Sequence, residues 1–449
     1  MHLHIGVLLF LEAPDLSSGK FLELIKRQIQ SRLEWMPHFR DSIAEVPFGI
    51  SEPYWITNEN FDISNHVRLS EDQKHYSRKE LLTLVGSIIS EPLDKSKPLW
   101  EVILVPQVAD NRVALIAKLH HALIDGVQGI EVLVNLLDFE RKPAQFWGTS
   151  NPVTNTNTVD LQDLVDLIGK SLVTKVRNAP KDLSRALLAV GDWYTFRRNS
   201  DNAKLLKPIF GAPKTPINGT LSTSRVAAAL DIDQAQVVRI AKEFSATVND
   251  VVMLLVSLAM DEYLANKGWD RGTDLTAMMP IANSKRNAYA GTNQISSLFI
   301  SLANSVADPI DRLREITRAT KAAKTFYVNS ELGEITRLAE YVPPLFTWAI
   351  SRLAHETRIF DRIPPAFNVL VSTVNGTDIP LYFSGMELLE IIPFGPLADS
   401  SALNITTLSY NKKMTVGIVG ESNLTPDVDE LGAFMDKAMD RVLGKLSPS

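Results

Sequence analysis

The stretch LHHALIDGVQGIEVLVNLL, Leu119 to Leu137, sets two adjacent histidines just ahead of an aspartate–glycine pair. Upstream of it, Val113, Leu115, Ala117 and Leu119 alternate with Ala114, Ile116 and Lys118. Residues 113–119 therefore read as a strand whose successive side chains point to opposite faces. Continuing the alternation puts His121 on the wholly apolar face and His120 on the face of Lys118, Ile116 and Ala114. Downstream, Val127, Ile130, Val134 and Leu137 recur at helical spacing, so a helix starts near Asp125–Gly126. Asp125 suits an N-cap, and Gln128 three residues later echoes a capping box. The stretch is a strand–turn–helix junction with one imidazole aimed into apolar surroundings.

That geometry narrows the chemistry. Neighbouring histidines on a strand diverge and are poorly placed to share a metal, and neither Cys nor an HExxH pattern is present to complete a zinc site. A metal is therefore not expected. A desolvated imidazole is held neutral near pH 7, the state a general base needs, so His121 is the candidate base. The complete absence of Cys also excludes disulfides, redox CxxC pairs and a thiol nucleophile.

The chain as a whole sets wider bounds. At 449 residues it is long enough for two domains. Its 45% apolar and 22% charged residues are those of a soluble globular protein. A net charge of −6 argues against a general nucleic-acid binder. The longest apolar stretch, Val251 to Met260, is too short to span a bilayer. The opening MHLHIGVLLFLEAPD has no basic region before its apolar run, so Ile5 to Leu11 reads as a strand and not as a secretion signal. A cytoplasmic location follows, with any membrane or lipid-inclusion contact peripheral.

Helical periodicity marks Phe21–Leu33 and Glu80–Ile89, and Glu101–Val105 joins Val113–Leu119 as strand. Residues 141–160 are rich in Pro, Asn, Thr and Ser and read as a linker. Leu161 to about Leu206 is amphipathic and helical, and from 161 to 214 there are 10 Lys/Arg against 5 Asp/Glu. Such a basic helix suits an anionic lipid surface or an anionic co-substrate, although solvated faces often look the same. After Ser224, strands are expected at Val226–Leu230, Thr276–Met279, Ile295–Ser301, Asn368–Thr373 and Ala402–Tyr410. The last pairs with Met414–Val419 across a tight turn. Helices are expected at 231–244 and 247–268, the second nearly all apolar and buried. The division is 1–150, 151–222 and 223–449: two mixed-sheet α/β domains joined by a basic helical linker.

The H-H-x-x-x-D-G spacing resembles that of the chloramphenicol-acetyltransferase-like acyltransferases. Further stretches are similar to the bacterial wax ester synthase/diacylglycerol acyltransferase family within them. These are FDISNHVR with Phe61, Asp62, His66 and Arg68; Pro98-Leu99-Trp100; Asn249-Asp250; PLYFSGMEL with Pro380 and Gly385; and IPFGPLADSSALNITTLSY. The resemblance covers almost the whole chain and implies two chloramphenicol-acetyltransferase-like domains with an active-site tunnel at their interface. It implies transfer of a long-chain acyl group from acyl-CoA, a co-substrate with no further cofactor, to a fatty alcohol or diacylglycerol. His121 would deprotonate the hydroxyl and then protonate the leaving thiolate, with no covalent acyl-enzyme. His120 would support ring orientation, Asp125 would orient the loop, and Gly126 would let backbone pass close to the tunnel. Asn249 would position His121 or donate to the oxyanion, while Asp250 reads equally well as a helix-start residue. Pro98-Leu99-Trp100 reads as a turn and a core tryptophan.

Two departures stand out. The family pattern carries a short segment and a helix before a strand like that of His4-Ile5-Gly6, which here stands almost at the start, so an edge of the first domain is expected to be incomplete. Ser372-Thr373-Val374-Asn375-Gly376-Thr377 replaces a proline-containing SNVPGP, so acceptor preference does not carry over. Two other functions fit the same residues: a condensation-type acyltransferase using a carrier-protein thioester, and a non-catalytic lipid-surface protein.

Overall fold

The computed structural model describes residues 3–36, 38–46, 52–72, 74–124, 126–142, 211–270, 272–282, 295–329 and 344–446, with scattered helical positions between 169 and 188. In chain order the first half gives β1 (His4–Glu12), α1 (Ser18–Arg32), β2 (Asp41–Ala44), β3 (Tyr54–Thr57), β4 (Val67–Leu69) and α2 (Arg78–Ser90). It continues with β5 (Trp100–Val108), β6 (Arg112–His120) and α3 (Gly126–Leu136). The second half gives β7 (Arg225–Ile232), α4 (Gln234–Glu243), α5 (Val248–Asn266), β8 (Thr276–Ala282), β9 (Ile295–Ser301), α6 (Pro309–Asn329) and α7 (Pro344–Glu356). Last come β10 (Val369–Asn375), β11 (Tyr382–Phe383), β12 (Met386–Phe394), β13 (Leu403–Tyr410), β14 (Lys413–Glu421) and α8 (Val428–Leu443).

Two six-stranded mixed sheets carry the fold, in the orders β11-β12-β1-β6-β5-β4 and β7-β14-β13-β10-β8-β9. The first sheet has α2 on one face and α1, α3 and the cavity on the other, while the second sheet turns one face to the cavity and the other to helices. On the first sheet, Leu8, Phe10, Ala114 and Ile116 pack against Leu81, Val85 and Ile88 of α2. Their strand neighbours Leu9, Leu11, Val113 and Leu115 pack with Phe21, Ile25 and Ile29 of α1. On the second sheet, Ala277, Met279, Val369, Val371, Leu403 and Ile405 meet α5, and α6 and α8 close that core. Helix α5 is apolar all round because it is buried all round, as expected for 247–268.

The division at 222/223 needs correction. Strand β12, from the last third of the chain, pairs antiparallel with β1, Gly6 opposite Phe394 and Val7 opposite Pro393. The first sheet is thus completed by residues assigned to the second domain. A proline inside MELLEIIPF argues against a sheet-interior strand, which hid this element. It is tolerated because β11 pairs with β12 only at Glu387 and Met386, leaving that side of Pro393 without a strand among the described residues. Residues 211–222 are also no loose linker: Ile217 and Leu221 are buried, and Asn218 donates to Ser400 O at 2.8 Å. Most of the expected linker, 143–160, and most of the basic helical stretch lie outside the described residues.

Where β12 leaves the first sheet it crosses β14 of the second. Thr415 Oγ1 donates to Ile391 O at 2.5 Å. At Gly417, a Cβ would stand 1.6 Å from Pro393 O. Only glycine admits that approach. Gly417→Ala should therefore destabilise the protein by about 3 kcal/mol or more, read as a fall in thermal or urea midpoint. A variant melting with the wild type would show that the two sheets do not meet there.

Candidate active site

The cavity between the sheets encloses about 510 Å³. From the first sheet come Ile5, Val7 and Leu9 of β1 and Leu115, Ala117, Leu119 of β6, followed by His121. That set is the apolar alternation read from the sequence, extended by one residue. The extension is real structure: His121 N–H donates to Leu3 O at 2.8 Å, continuing the β1–β6 ladder beyond the strand end. Val132, Leu133 and Leu136 of α3 line the same space. Across from them stand Met278, Leu370, Ser372, Val374, Thr406 and Leu408 of the second sheet.

Among the described lining residues only His121 and Glu101 carry ionisable side chains. Glu101 is committed elsewhere. Its cross-strand partner is Lys118, and Glu101 Oε1 accepts from Lys118 Nζ at 2.5 Å. Lys118 is 1% exposed and also donates to Ile88 O and Glu91 O at the end of α2. Burying that ammonium is tolerable because all three donors find acceptors.

His120 sits on this same back face. Its Nδ1 accepts from Ala122 N–H at 3.1 Å, which shapes the turn carrying His121. Opposite it in register is His4, the rings meeting edge-on at 6.0 Å. His4 Nδ1–H donates to Ile89 O at 3.0 Å. Sequence reasoning missed His4, although its position on the strand shared by Gly6 and Leu8 points it away from the cavity. Lys118 and His4 together tie the histidine turn to the last carbonyls of α2, where a helix leaves acceptors unfilled.

Trp100 anchors the neighbouring strand. Its Nε1–H donates to Phe39 O at 2.8 Å, and both rings line the cavity. Behind it His66 stacks at 4.6 Å, with Phe61 at 5.2 Å on His66. Pro98 O accepts from Trp100 N–H, giving the expected turn into a core tryptophan. The FDISNHVR and Pro98-Leu99-Trp100 motifs are therefore one aromatic stack holding the cavity wall. Burial keeps the His66 imidazole below its ordinary pKa, against the hydrogen bond its Nδ1–H makes to Trp100 O.

Asn249 is held elsewhere than the oxyanion role requires. Its Oδ1 accepts from Thr373 Oγ1 at 3.1 Å, and its amide contacts Met279 Sδ at 3.0 Å. Thr373 and Met279 alternate with the cavity-lining Ser372, Val374 and Met278, so Asn249 lies on the helix side of the second sheet. Asp250 takes the helix-start role: its Oδ2 accepts from Thr247 N–H in a capping box and its Oδ1 from Thr320 Oγ1. Asp125 lies outside the described residues, and Gly126 opens α3.

A family model, the wax ester synthase/diacylglycerol acyltransferase catalytic domain, matches residues 1–252, and the WS/DGAT C-terminal domain matches 291–442. The chain belongs to this acyltransferase family. It is 29% identical over 420 residues to a candidate diacylglycerol O-acyltransferase of Mycobacterium tuberculosis, covering 91% of this chain and 79% of that one. It is 26% identical over 441 residues to an O-acyltransferase of Acinetobacter baylyi, covering 97% and 92%. The solved wax ester synthase/diacylglycerol acyltransferase of Marinobacter aquaeolei shares the fold at a TM-score of 0.65 and 22% identity, over 98% and 94% of the chains.

Within this family member, the structure adds a polar wall to the site. Asn404 and Thr406, from the quoted IPFGPLADSSALNITTLSY stretch, line the cavity with Ser372, which is Thr406's register partner. Asn404 Nδ2 donates to Pro396 O and its Oδ1 accepts from Thr406 Oγ1, both at 2.7 Å. The signal for them was the alternation of LNITTL, legible only once the cavity face of β13 is known.

The depressed His66 pKa has a definite sign in stability. The fold binds that proton less readily than the unfolded chain does, so stability present above about pH 6.5 is lost as pH falls from there through the lower value of the folded state. His66→Phe keeps the stack and removes the titration. Its midpoint should be lower at neutral pH yet fall less than wild type between about pH 7.5 and about pH 5.5. Parallel acid limbs in the two proteins would remove His66 from the account.

Proposed function

We propose that the protein transfers a long-chain acyl group from acyl-CoA to the hydroxyl of a fatty alcohol or diacylglycerol, forming wax ester or triacylglycerol, with His121 as general base. The observation that carries this reading is one imidazole at the end of a large apolar cavity between two sheets. A volume of about 510 Å³ falls within the roughly 300–1,000 Å³ usual for small-molecule sites. Each methylene buried there contributes about 0.8 kcal/mol, so an apolar chain is a favourable occupant.

In the proposed reaction His121 takes the proton of the acceptor hydroxyl as its oxygen attacks the thioester carbonyl. The tetrahedral intermediate collapses, the C–S bond breaks, and the imidazolium returns the proton to the thiolate. The apolar surroundings strengthen any donor facing the oxyanion. Ser372 supplies a hydroxyl on the opposite wall, while that of Thr406 is donated to Asn404 Oδ1. No step requires a second titratable group. The acceptor and donor both being lipidic, we also place the working enzyme at a lipid surface.

His121→Ala should retain the fold and lower ester formation by about 10²-fold or more, measured with palmitoyl-CoA and competing hexadecanol and dioleoylglycerol. Unchanged product from that variant would count against the mechanism. Palmitoyl-acyl-carrier protein outperforming palmitoyl-CoA would favour a carrier-dependent donor. Val132→Trp, which fills the cavity beside α3, should depress transfer of palmitoyl far more than of butyryl groups; equal effects on both would place the acyl chain elsewhere.

A further inference from the structure

The cavity wall made by the first sheet is uneven in a regular way. Strand register sets Ile5, Leu119 and Trp100 side by side across β1, β6 and β5, then Val7, Ala117 and Val102, then Leu9, Leu115 and Leu104. Being alternate residues of their strands, all of these point to the same face. The outer rows are large and the middle row is small. Pro393 of β12 continues the middle row beyond Val7. Val7, Ala117 and Val102 are each partly exposed, whereas Leu9, Leu115 and Leu104 are 7%, 2% and 0% exposed. The middle row is therefore the floor of a trough running across β12, β1, β6 and β5, about 14 Å long at the usual strand spacing.

The opposite wall changes character with distance from the imidazole. Asn404 donates to Pro396 O, just past the Phe394 that stands opposite Gly6. It thus lies at the end of β1 where Leu3 O holds the His121 N–H. Thr406 and its register partner Ser372 follow. The next pair on that face, Leu408 and Val374, is apolar and packs in the cluster of Leu9 and Leu115. Polar groups gather near His121, and hydrocarbon surface lies beyond them. A molecule with a carbonyl or hydroxyl at one end and a straight tail at the other matches that gradient in one orientation. Along β6, His121 to Ala117 spans about 14 Å and His121 to Leu115 about 20 Å. A butyryl chain anchored at His121 stops short of Ala117, while an extended palmitoyl chain reaches past it.

We infer that the trough over Val7, Ala117 and Val102 receives the far part of a straight hydrocarbon tail, and that Ala117, the smallest side chain of its floor, sets the tail length the enzyme accepts. This rests on the acyl-transfer reading above and adds which wall carries the tail and which residue selects its length. The tail belongs to the acyl group of the donor or the alkyl group of the acceptor, the same chemistry in either case. Methylenes laid in the trough leave water and displace no hydrogen bond, so tail length is read as affinity. A larger side chain at position 117 raises the floor to the level of the neighbouring rows and closes that surface.

The test uses Ala117→Leu and, as an independent change on the same row, Val7→Leu, each in the full-length chain. Both new side chains enter the cavity and not the packed core, so thermal midpoints should stay near that of wild type. Donors from butyryl- to stearoyl-CoA are supplied with butanol, and alcohols from butanol to hexadecanol with butyryl-CoA. In at least one series the ratio of longest-chain to shortest-chain rate should fall about tenfold or more in both variants, and the series that responds identifies whose tail lies in the trough. Binding of palmitic acid, read by calorimetry, should weaken by a similar factor. Ratios unchanged in both series, equal loss at every chain length, or palmitic acid binding that the variants do not weaken would overturn the inference. If wild type forms no ester, the proposed reaction fails, while the calorimetric comparison still decides the trough.

Discussion

The structure depends on how β1 is paired. It lies inside the first sheet, with β6 on one side and β12 on the other. The β6 ladder sets His4 against His120 and carries on to His121 N–H, so the register of one strand determines which histidine faces the cavity. A slip by one residue would exchange the two faces and direct His120 inward. The polar groups of one face oppose any such slip, since it would turn Lys118 and His4 away from Glu101 and the end of α2 and toward the apolar side.

The two sides of that ladder have separate duties. The cavity side is almost free of polar atoms, which suits an uncharged imidazole and an apolar occupant. The reverse side carries the polar fastening: Lys118 with Glu101 and two helix-end carbonyls, and His4 with a third. A further tie crosses between the sheets, where Arg78 of α2 reaches both Glu390 of β12 and Asp231 of β7. Charge here holds the elements around the cavity, and the β1–β6 wall of the cavity is left greasy.

How much of this was legible depended on whether the deciding pattern was local. Alternation over 113–121 placed His121 because a strand's two faces follow from geometry alone, and the helix after it was equally plain. The aromatic stack of Phe61, His66 and Trp100 was visible only as matching motifs, since its residues come together from two separate segments, the turn before β4 and the start of β5. Asn249 was put at the site by resemblance. Its face of the second sheet is set by Thr373 and Met279, which lie far away in the chain. The strand Met386–Phe394 went unread because Pro393 masks its pattern, and with it went the sharing of the first sheet between both halves.

That sharing affects how the chain is made. Residues near the N-terminus must hold one strand edge open until the last third of the polypeptide has left the ribosome. Contacts of such long sequence separation slow folding and expose hydrogen-bonding edges in the meantime. The N-terminal half, though it carries the histidine pair, completes its sheet only with a strand from the second half, and cutting the gene between them would leave one edge of β1 without its partner.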